Sequence, residues 1–396
     1  MSDTATFLQE LIRIRSLPGE EAELARRVIV EMERLGYDRV ELDEAGNVLG
    51  LIRGRDGGPS VMLNTHLDHV EAGDPADWPH PPFEAVRADG RIWGRGAVDI
   101  KGPLAAQVHG AARAGGEGER PVGDVWVTAV VQEEVGGLGA RHLVGELGPD
   151  LVVVGEPSSN QLRRGHRGRV ELEARFRGRS AHASAPDRGA NPLFGMGAFL
   201  QALATLELPG HPELGRATLA PTLVGTDQGS PNVIPSEARL LLDVRVVPGQ
   251  TADDVRRRLE PVLRGALPEG LEASLAVPSH RRRSWRGLEV EMPADNPAYL
   301  LPEDHPALSS AAAVLESALG RRPEIGLWGF ATDGGHFADA GLTVVGFGPG
   351  EEALAHTVEE SVPVAELEEA TDSYAALARG WGRAFLEVAG GGPDDG

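Results

Sequence analysis

Arg169-Val170-Glu171-Leu172-Glu173-Ala174-Arg175-Phe176-Arg177 alternates charged and apolar side chains without a break. A strict period of two marks a strand with one face in water and the other on a core. The chain before it is of a different kind. Val61 to Leu63, Val125 to Val131 and Leu151 to Val154 are short continuous apolar runs, with a helical stretch starting near Pro103 among them. That alternation predicts an α/β sheet covered by helices. Further upstream, Phe7, Leu8, Leu11 and Ile12 recur at helical spacing, as do Ala22, Leu24, Val28, Met32 and Leu35 before Gly36, so two helices open the chain. The character changes after Arg163.

Downstream of the alternating strand the pattern predicts a helix from about Asn191, strands near 217–224 and 238–247, a helix starting near Thr251 and a strand near 271–277. The order βαββαβ reads as a ferredoxin-like α+β domain inserted into the α/β domain. From about Arg286 helices and a buried strand (Thr343 to Phe347) return, and a helix is expected from about Val364 to the end. The expected boundaries are 1–164 and 285–388 for the two parts of the first domain, 165–284 for the insertion, and 389–396 for a disordered tail rich in glycine and aspartate.

A chain of 396 residues with 41% hydrophobic content can fill two cores. Its net charge of -22 repels phosphate backbones and anionic membranes, which argues against nucleic acid and membrane partners. The short basic run Arg281 to Arg283 reads as a solvated loop. No apolar run of about 18 residues is present for a membrane span, and the N-terminus lacks the order of a secretion signal, so the expected compartment is the cytoplasm. With no Cys, any metal must be held by the 12 His and 60 acidic residues, which favours zinc, manganese or cobalt.

Five short motifs carry the chemistry. In His66-Leu67-Asp68-His69-Val70, residues two apart on extended chain share a side, so His66 and Asp68 converge, and Asp68 can orient the imidazole of a metal ligand. Gly94-Arg95-Gly96-Ala97-Val98-Asp99 lacks the spacing of a phosphate loop, and its glycines serve to place Asp99. Gln132-Glu133-Glu134-Val135-Gly136-Gly137 puts two acids at a glycine-rich bend, where one carboxylate can bind metal while the other stays free as a base. Gly155-Glu156-Pro157-Ser158 and Ala355-His356-Thr357 complete the set. Each motif ends a strand or lies in a loop, the place where open α/β sheets present ligands.

In the order of these motifs, and in Ser180-Ala181-His182-Ala183-Ser184-Ala185-Pro186 within the insertion, the chain resembles the co-catalytic zinc amidohydrolases and peptidases. That group includes acetylornithine deacetylase, succinyl-diaminopimelate desuccinylase and glutamate carboxypeptidase. The resemblance implies a zinc-peptidase-like catalytic domain of mixed sheet flanked by helices, with the insertion as a lid and dimerisation domain. It implies two divalent ions per chain, zinc first, with cobalt or manganese as alternatives. Asp99 would bridge them, His66 and Glu156 completing one ion and Glu134 and His356 the other, and the peptide after Asp99 would be cis. Glu133 becomes the general base, His182 an oxyanion donor, often from the partner of a homodimer, and Asn232 and Arg245 the holders of the substrate and its carboxylate. The implied substrate is a small N-acyl amino acid, cleaved at its amide bond. Two alternatives stand beside it: a dipeptidase or glutamate-type carboxypeptidase, and a non-catalytic binding protein on the same scaffold, although every expected position is filled. Gly329 to His336 lies where such proteins diverge with substrate and names no acyl group.

Overall fold

The structure is a computed structural model that describes residues 3–116 and 120–390. The chain divides into two compact units, one of residues up to Gly165 with Arg282–Val290 and the chain from Leu300 on, the other of His166–Arg281 with Glu291–Tyr299.

The first unit is built on a mixed sheet, nine-stranded among the described residues. At its centre the strand Val61–His66 runs parallel to Val125–Val130 on one side and to Leu151–Val154 on the other. Val344–Gly346 extends the parallel set beyond Leu151–Val154. All six residues of Val61–His66 and all four of Leu151–Val154 are buried, which is why Val61 to Leu63 and Leu151 to Val154 read as unbroken apolar runs, while Asn64, Thr65 and His66 are buried polar residues at the end of their strand. The helix Lys101–Gly115 is buried along nearly its whole length and packs against the long helix Val364–Gly390, which also receives Pro306–Leu319. The hairpin of Arg39–Leu42 and Val48–Ile52 continues the sheet antiparallel at one edge, and Leu162–His166 adds to the other. Among the described residues, no helix is long and apolar enough to cross a membrane.

The second unit has the βαββαβ order that the sequence predicts. Its strands are Gly168–Arg177, Thr218–Thr226, Glu237–Val246 and Glu272–Ala276, paired antiparallel so that the fourth, first, third and second lie side by side. The apolar positions of the alternating strand, Val170, Leu172, Ala174 and Phe176, face a core shared with Phe199, Leu240, Leu242, Leu259 and Leu263. The two helices of that core begin at the expected caps. Asn191 accepts the amide of Leu193 ahead of Pro192–Leu203, and Thr251 forms a reciprocal capping pair with Asp254 ahead of Ala252–Ala266.

The boundaries differ from the sequence reading in the return segment. Residues placed in the resumed first domain, Glu291–Tyr299, belong to the second unit, because Asp295 and Asn296 pair with Val170 and Arg169 and extend its sheet. Two residues are too short a strand to leave a periodic signal. The basic residues Arg281, Arg282 and Arg283 close a short strand, Ser279–Arg283, rather than a loop. Ala389 and Gly390, counted with the tail, end the last helix, and residues 391–396 of that expected tail lie outside the described residues.

One close approach ties the sheet to the segment after Leu151–Val154. Trp328 donates its indole N–H to the carbonyl of Pro157 at 2.9 Å, and its ring covers Gly346 so closely that a methyl group there would overlap it. Gly346→Ala should therefore cost about 1–3 kcal/mol through overpacking. A lowered thermal midpoint relative to the unsubstituted protein checks this, and an unchanged one contradicts it.

Candidate metal centre

The parallel strands end on a common edge, and their last residues and following loops carry the motif side chains. His66 closes the strand Val61–His66, Glu133 and Glu134 follow Val125–Val130, Glu156 follows Leu151–Val154, and His356 lies beyond Val344–Gly346. Asp99 reaches the same edge from the loop before the helix Lys101–Gly115, and the peptide joining it to Ile100 is cis.

These side chains form two groups that share Asp99: His66, Asp99 and Glu156, and Asp99, Glu134 and His356. His66 Nε2 stands 3.1 Å from Asp99 Oδ1 and 3.5 Å from Glu156 Oε1. His356 Nε2 stands 3.0 Å from Asp99 Oδ2 and 3.0 Å from Glu134 Oε1. Each oxygen of Asp99 thus faces a different imidazole. His66 Nδ1 lies 3.0 Å from the main-chain carbonyl of Asp68, which can only accept, so the proton sits on Nδ1 and Nε2 is the atom turned toward the carboxylates.

The residues fit a pair of divalent cations. Asp99 Oδ1 is buried and accepts no hydrogen bond even with His66 Nε2 at 3.1 Å, an approach that a cation between them would relieve. Imidazole and carboxylate are the donors that zinc, manganese and cobalt take. Electrostatics point the same way. Burial pushes the carboxyls of Glu134 up to about 7 and Glu156 up to about 8, with Asp99 adding to both. Burial also lifts Glu133 well above the usual carboxylate range; His66 opposes this, and Asp333, Glu156 and Glu134 add to it. So many buried acids in one place call for added positive charge if they are to ionise together. Glu133 belongs to neither group.

Asp68 works differently from the expectation. The proton of His66 goes to its main-chain carbonyl, and the carboxylate oxygen is farther, at 3.4 Å. The carboxylate instead accepts the amides of Glu133 at 3.0 Å and Glu134 at 3.1 Å, so it holds the bend on which the two acids sit. That bend needs left-handed backbone at Gln132, Gly136 and Gly137. His69, the neighbour in the same motif, is turned away. Its Nε2 accepts the amide of Ser16 at 3.0 Å, and burial drives its imidazole down to about 3.

In the second unit, His182 and Asn232 come together where the strands Ala181–His182 and Val233–Ile234 pair, and the amide of Ala183 donates to the Asn232 carbonyl. His182 Nδ1 accepts the Ser184 amide at 3.1 Å, which leaves the proton of a neutral ring on the exposed Nε2. Arg245 lies on Glu237–Val246, where its Nε donates to Asp243 at 2.8 Å. Arg245 thus makes an ion pair on the strand face, and the pair engages Nε.

The buried acids that the sequence did not point to include Glu360 and Asp333. Glu360 accepts four hydrogen bonds from the Asp99 loop. Asp333, inside Gly329 to His336, is buried, and burial pushes its carboxyl up to about 7 with His66 opposing. Neither sits on a periodic element, and only its distance from a motif histidine or glycine pair could have drawn notice. A further group, Asp43, His142 and Glu146, is partly exposed, and the Asp43 carboxylate is already committed to Gly46 and Asn47.

A two-unit chain with paired histidine and carboxylate groups at the ends of parallel strands has the architecture of a metal-dependent peptidase or amidohydrolase. The sequence profile of Peptidase family M20/M25/M40 matches residues 62–380, and the chain belongs to this family. It is 32% identical over 388 residues to the Escherichia coli strain K12 protein YgeY, covering 96% of this chain and 94% of that one. With the succinyl-diaminopimelate desuccinylase of Alkalilimnicola ehrlichii it shares 30% identity over 394 residues, covering 96% and 99%. The fold matches an M20 family metallo-carboxypeptidase from Sulfolobus solfataricus, with a TM-score of 0.73 at 16% identity over 97% of this chain and 100% of that one. It also matches the Bacillus subtilis YXEP protein, a dinuclear metal binding peptidase, with a TM-score of 0.70 at 16% identity over 95% and 96%. The chain is an M20 metallo-hydrolase.

Because the Asp68 carboxylate holds the Glu133–Glu134 bend, Asp68→Asn turns an amide group toward at least one main-chain N–H. Loss of such an orienting partner costs about 10–100-fold in metal affinity. Chelator competition on the purified variant measures it, and unchanged affinity would contradict the role assigned to Asp68.

Proposed function

We propose that the centre holds two divalent ions, zinc in the first place, and that the protein hydrolyses an amide bond of a small N-acyl amino acid bearing a free carboxylate. The observation that carries this reading is Asp99, whose two oxygens face His66 and His356 separately. His66, Asp99 and Glu156 would hold one ion, and Asp99, Glu134 and His356 the other. When bound, such a pair supplies Lewis acidity toward the scissile carbonyl and acidifies water. Glu133 takes the proton of the attacking water and returns it to the leaving amine nitrogen, a task that suits a carboxyl with raised proton affinity. His182 offers its Nε2–H to the developing oxyanion. Arg245 presents its two terminal nitrogens to a substrate carboxylate while its Nε is engaged by Asp243, and Asn232 holds the substrate beside it. The desuccinylase relative supports an N-acyl substrate over a dipeptide.

A homodimer through the second unit belongs to the same proposal. Thr218–Thr226 is an edge strand of that unit's sheet and is exposed along nearly its whole length, with Leu223 at 66% and Val224 at 63%. An uncovered apolar edge of this kind is suited to pairing with a second copy.

Glu133→Gln tests the reading. The substitution is nearly isosteric and spares both ligand groups, so metal content should stay at the unsubstituted level while kcat on a panel of N-acyl amino acids falls about 10²–10⁴-fold. Near-normal turnover would remove Glu133 as the base. Absence of hydrolysis by the unsubstituted protein across N-acyl amino acids and dipeptides would favour the binding-protein alternative.

A further inference from the structure

Glu360 lies four residues beyond His356 and is fully buried. Its Oε2 accepts Arg95 Nη1 at 2.6 Å and the Gly96 amide at 3.0 Å, and its Oε1 accepts the amides of Val98 at 2.9 Å and Asp99 at 3.0 Å. All four donors come from residues 95–99. The main chain adds a fifth tie, because the Gly94 amide donates to the Glu360 carbonyl at 3.1 Å. The segment is anchored on the far side as well, where Ser361 pairs with Trp93 in the strands Ser361–Pro363 and Arg91–Trp93.

Compensating the buried Arg95, whose guanidinium stacks over Trp78, needs one oxygen of Glu360. The other oxygen is spent on two consecutive amides, the second of them that of Asp99 itself. Two N–H groups held by one acceptor fix the peptide planes on either side of Val98 and at Asp99, and with them the direction in which the Asp99 side chain leaves the main chain. The same loop carries His356. One carboxylate therefore ties together two segments that supply ligand groups, one of them to both metal positions.

We propose that Glu360 is a positioning residue that sets the Asp99 carboxylate between His66 and His356, so that the two metal positions fill together. The proposal rests on the reading of the centre as a two-ion site. Glu360 touches neither substrate nor ion and acts through Asp99.

Glu360→Gln is the direct variant. Whichever way the amide turns, its NH2 group faces two of the four donors, and at least two hydrogen bonds are lost. The readout is titration of chelator-treated protein with cobalt(II), followed by visible absorption and by competition with a chelator, at a temperature where circular dichroism shows the variant folded. Both ions should bind about 10–100-fold more weakly than in the unsubstituted protein, and the visible spectrum of the bound cobalt should change. Where E360Q does not fold because Arg95 is left buried without its carboxylate, R95M/E360Q removes the stranded charge and is measured in its place. Folded variant with both affinities and spectrum unchanged overturns the proposal and leaves Glu360 as a clamp for Arg95. Failure of both variants to fold overturns it too, by making Glu360 a folding residue. Unsubstituted protein that takes up no cobalt overturns the two-ion reading itself and this proposal with it, an outcome distinct from a loss confined to the variants.

Discussion

Carboxylates of Asp99, Glu133, Glu134 and Glu156 converge on one edge of a sheet, buried or half-buried, with His66 and His356 as the imidazoles of the two groups that share Asp99. Like charges brought together without solvent cannot all ionise unless positive charge joins them. Such a group is accommodated either by protonation of some of its members or by added positive charge, and the two groups that share Asp99 are the candidate places for a cation. The rest of the structure serves to hold these groups together against their repulsion.

The means are mostly main-chain geometry. Three mutually parallel strands deliver His66, the Glu133–Glu134 bend and Glu156 at neighbouring points, so their separations are set by sheet spacing rather than by flexible loops. Where loops are unavoidable, a buried carboxylate collects their amides. Asp68 does this for the bend at Glu133 and Glu134, and Glu360 does it for the loop that ends on Asp99. Each of these carboxylates is stabilised by several N–H groups, so its own burial is offset while it fixes backbone next to a ligand group.

Much of this was legible in the sequence, for physical reasons. Buried parallel strands must be apolar on both faces, so Leu151 to Val154 announced itself, and a half-solvated strand must alternate, so Arg169 to Arg177 marked where the second unit begins. Asn191 and Thr251 gave the helix starts because capping chemistry is local. The side chains of both ligand groups stood in motifs at strand ends. What the sequence did not carry is long-range. Glu360 meets its partners across about 260 positions, and the two-residue strand at Asp295 and Asn296 is specified only by the partner it extends. Asp68 was found, yet the acceptor for His66 proved to be its main-chain carbonyl, a choice made by local backbone direction rather than by residue type.

If Asp99 joins two ions in one centre, the stoichiometry of metal binding and its response to loss of that carboxylate are fixed together. Equilibrium dialysis of chelator-treated protein against zinc, with metal counted by mass spectrometry in the unsubstituted chain and in Asp99→Asn, tests that bridging role most directly. A shared Asp99 gives saturation at two ions per chain, and a parallel loss of affinity for both ions in Asp99→Asn because each position loses the same ligand residue. Saturation at one ion, or an Asp99→Asn protein that weakens one site and leaves the other intact, would contradict it.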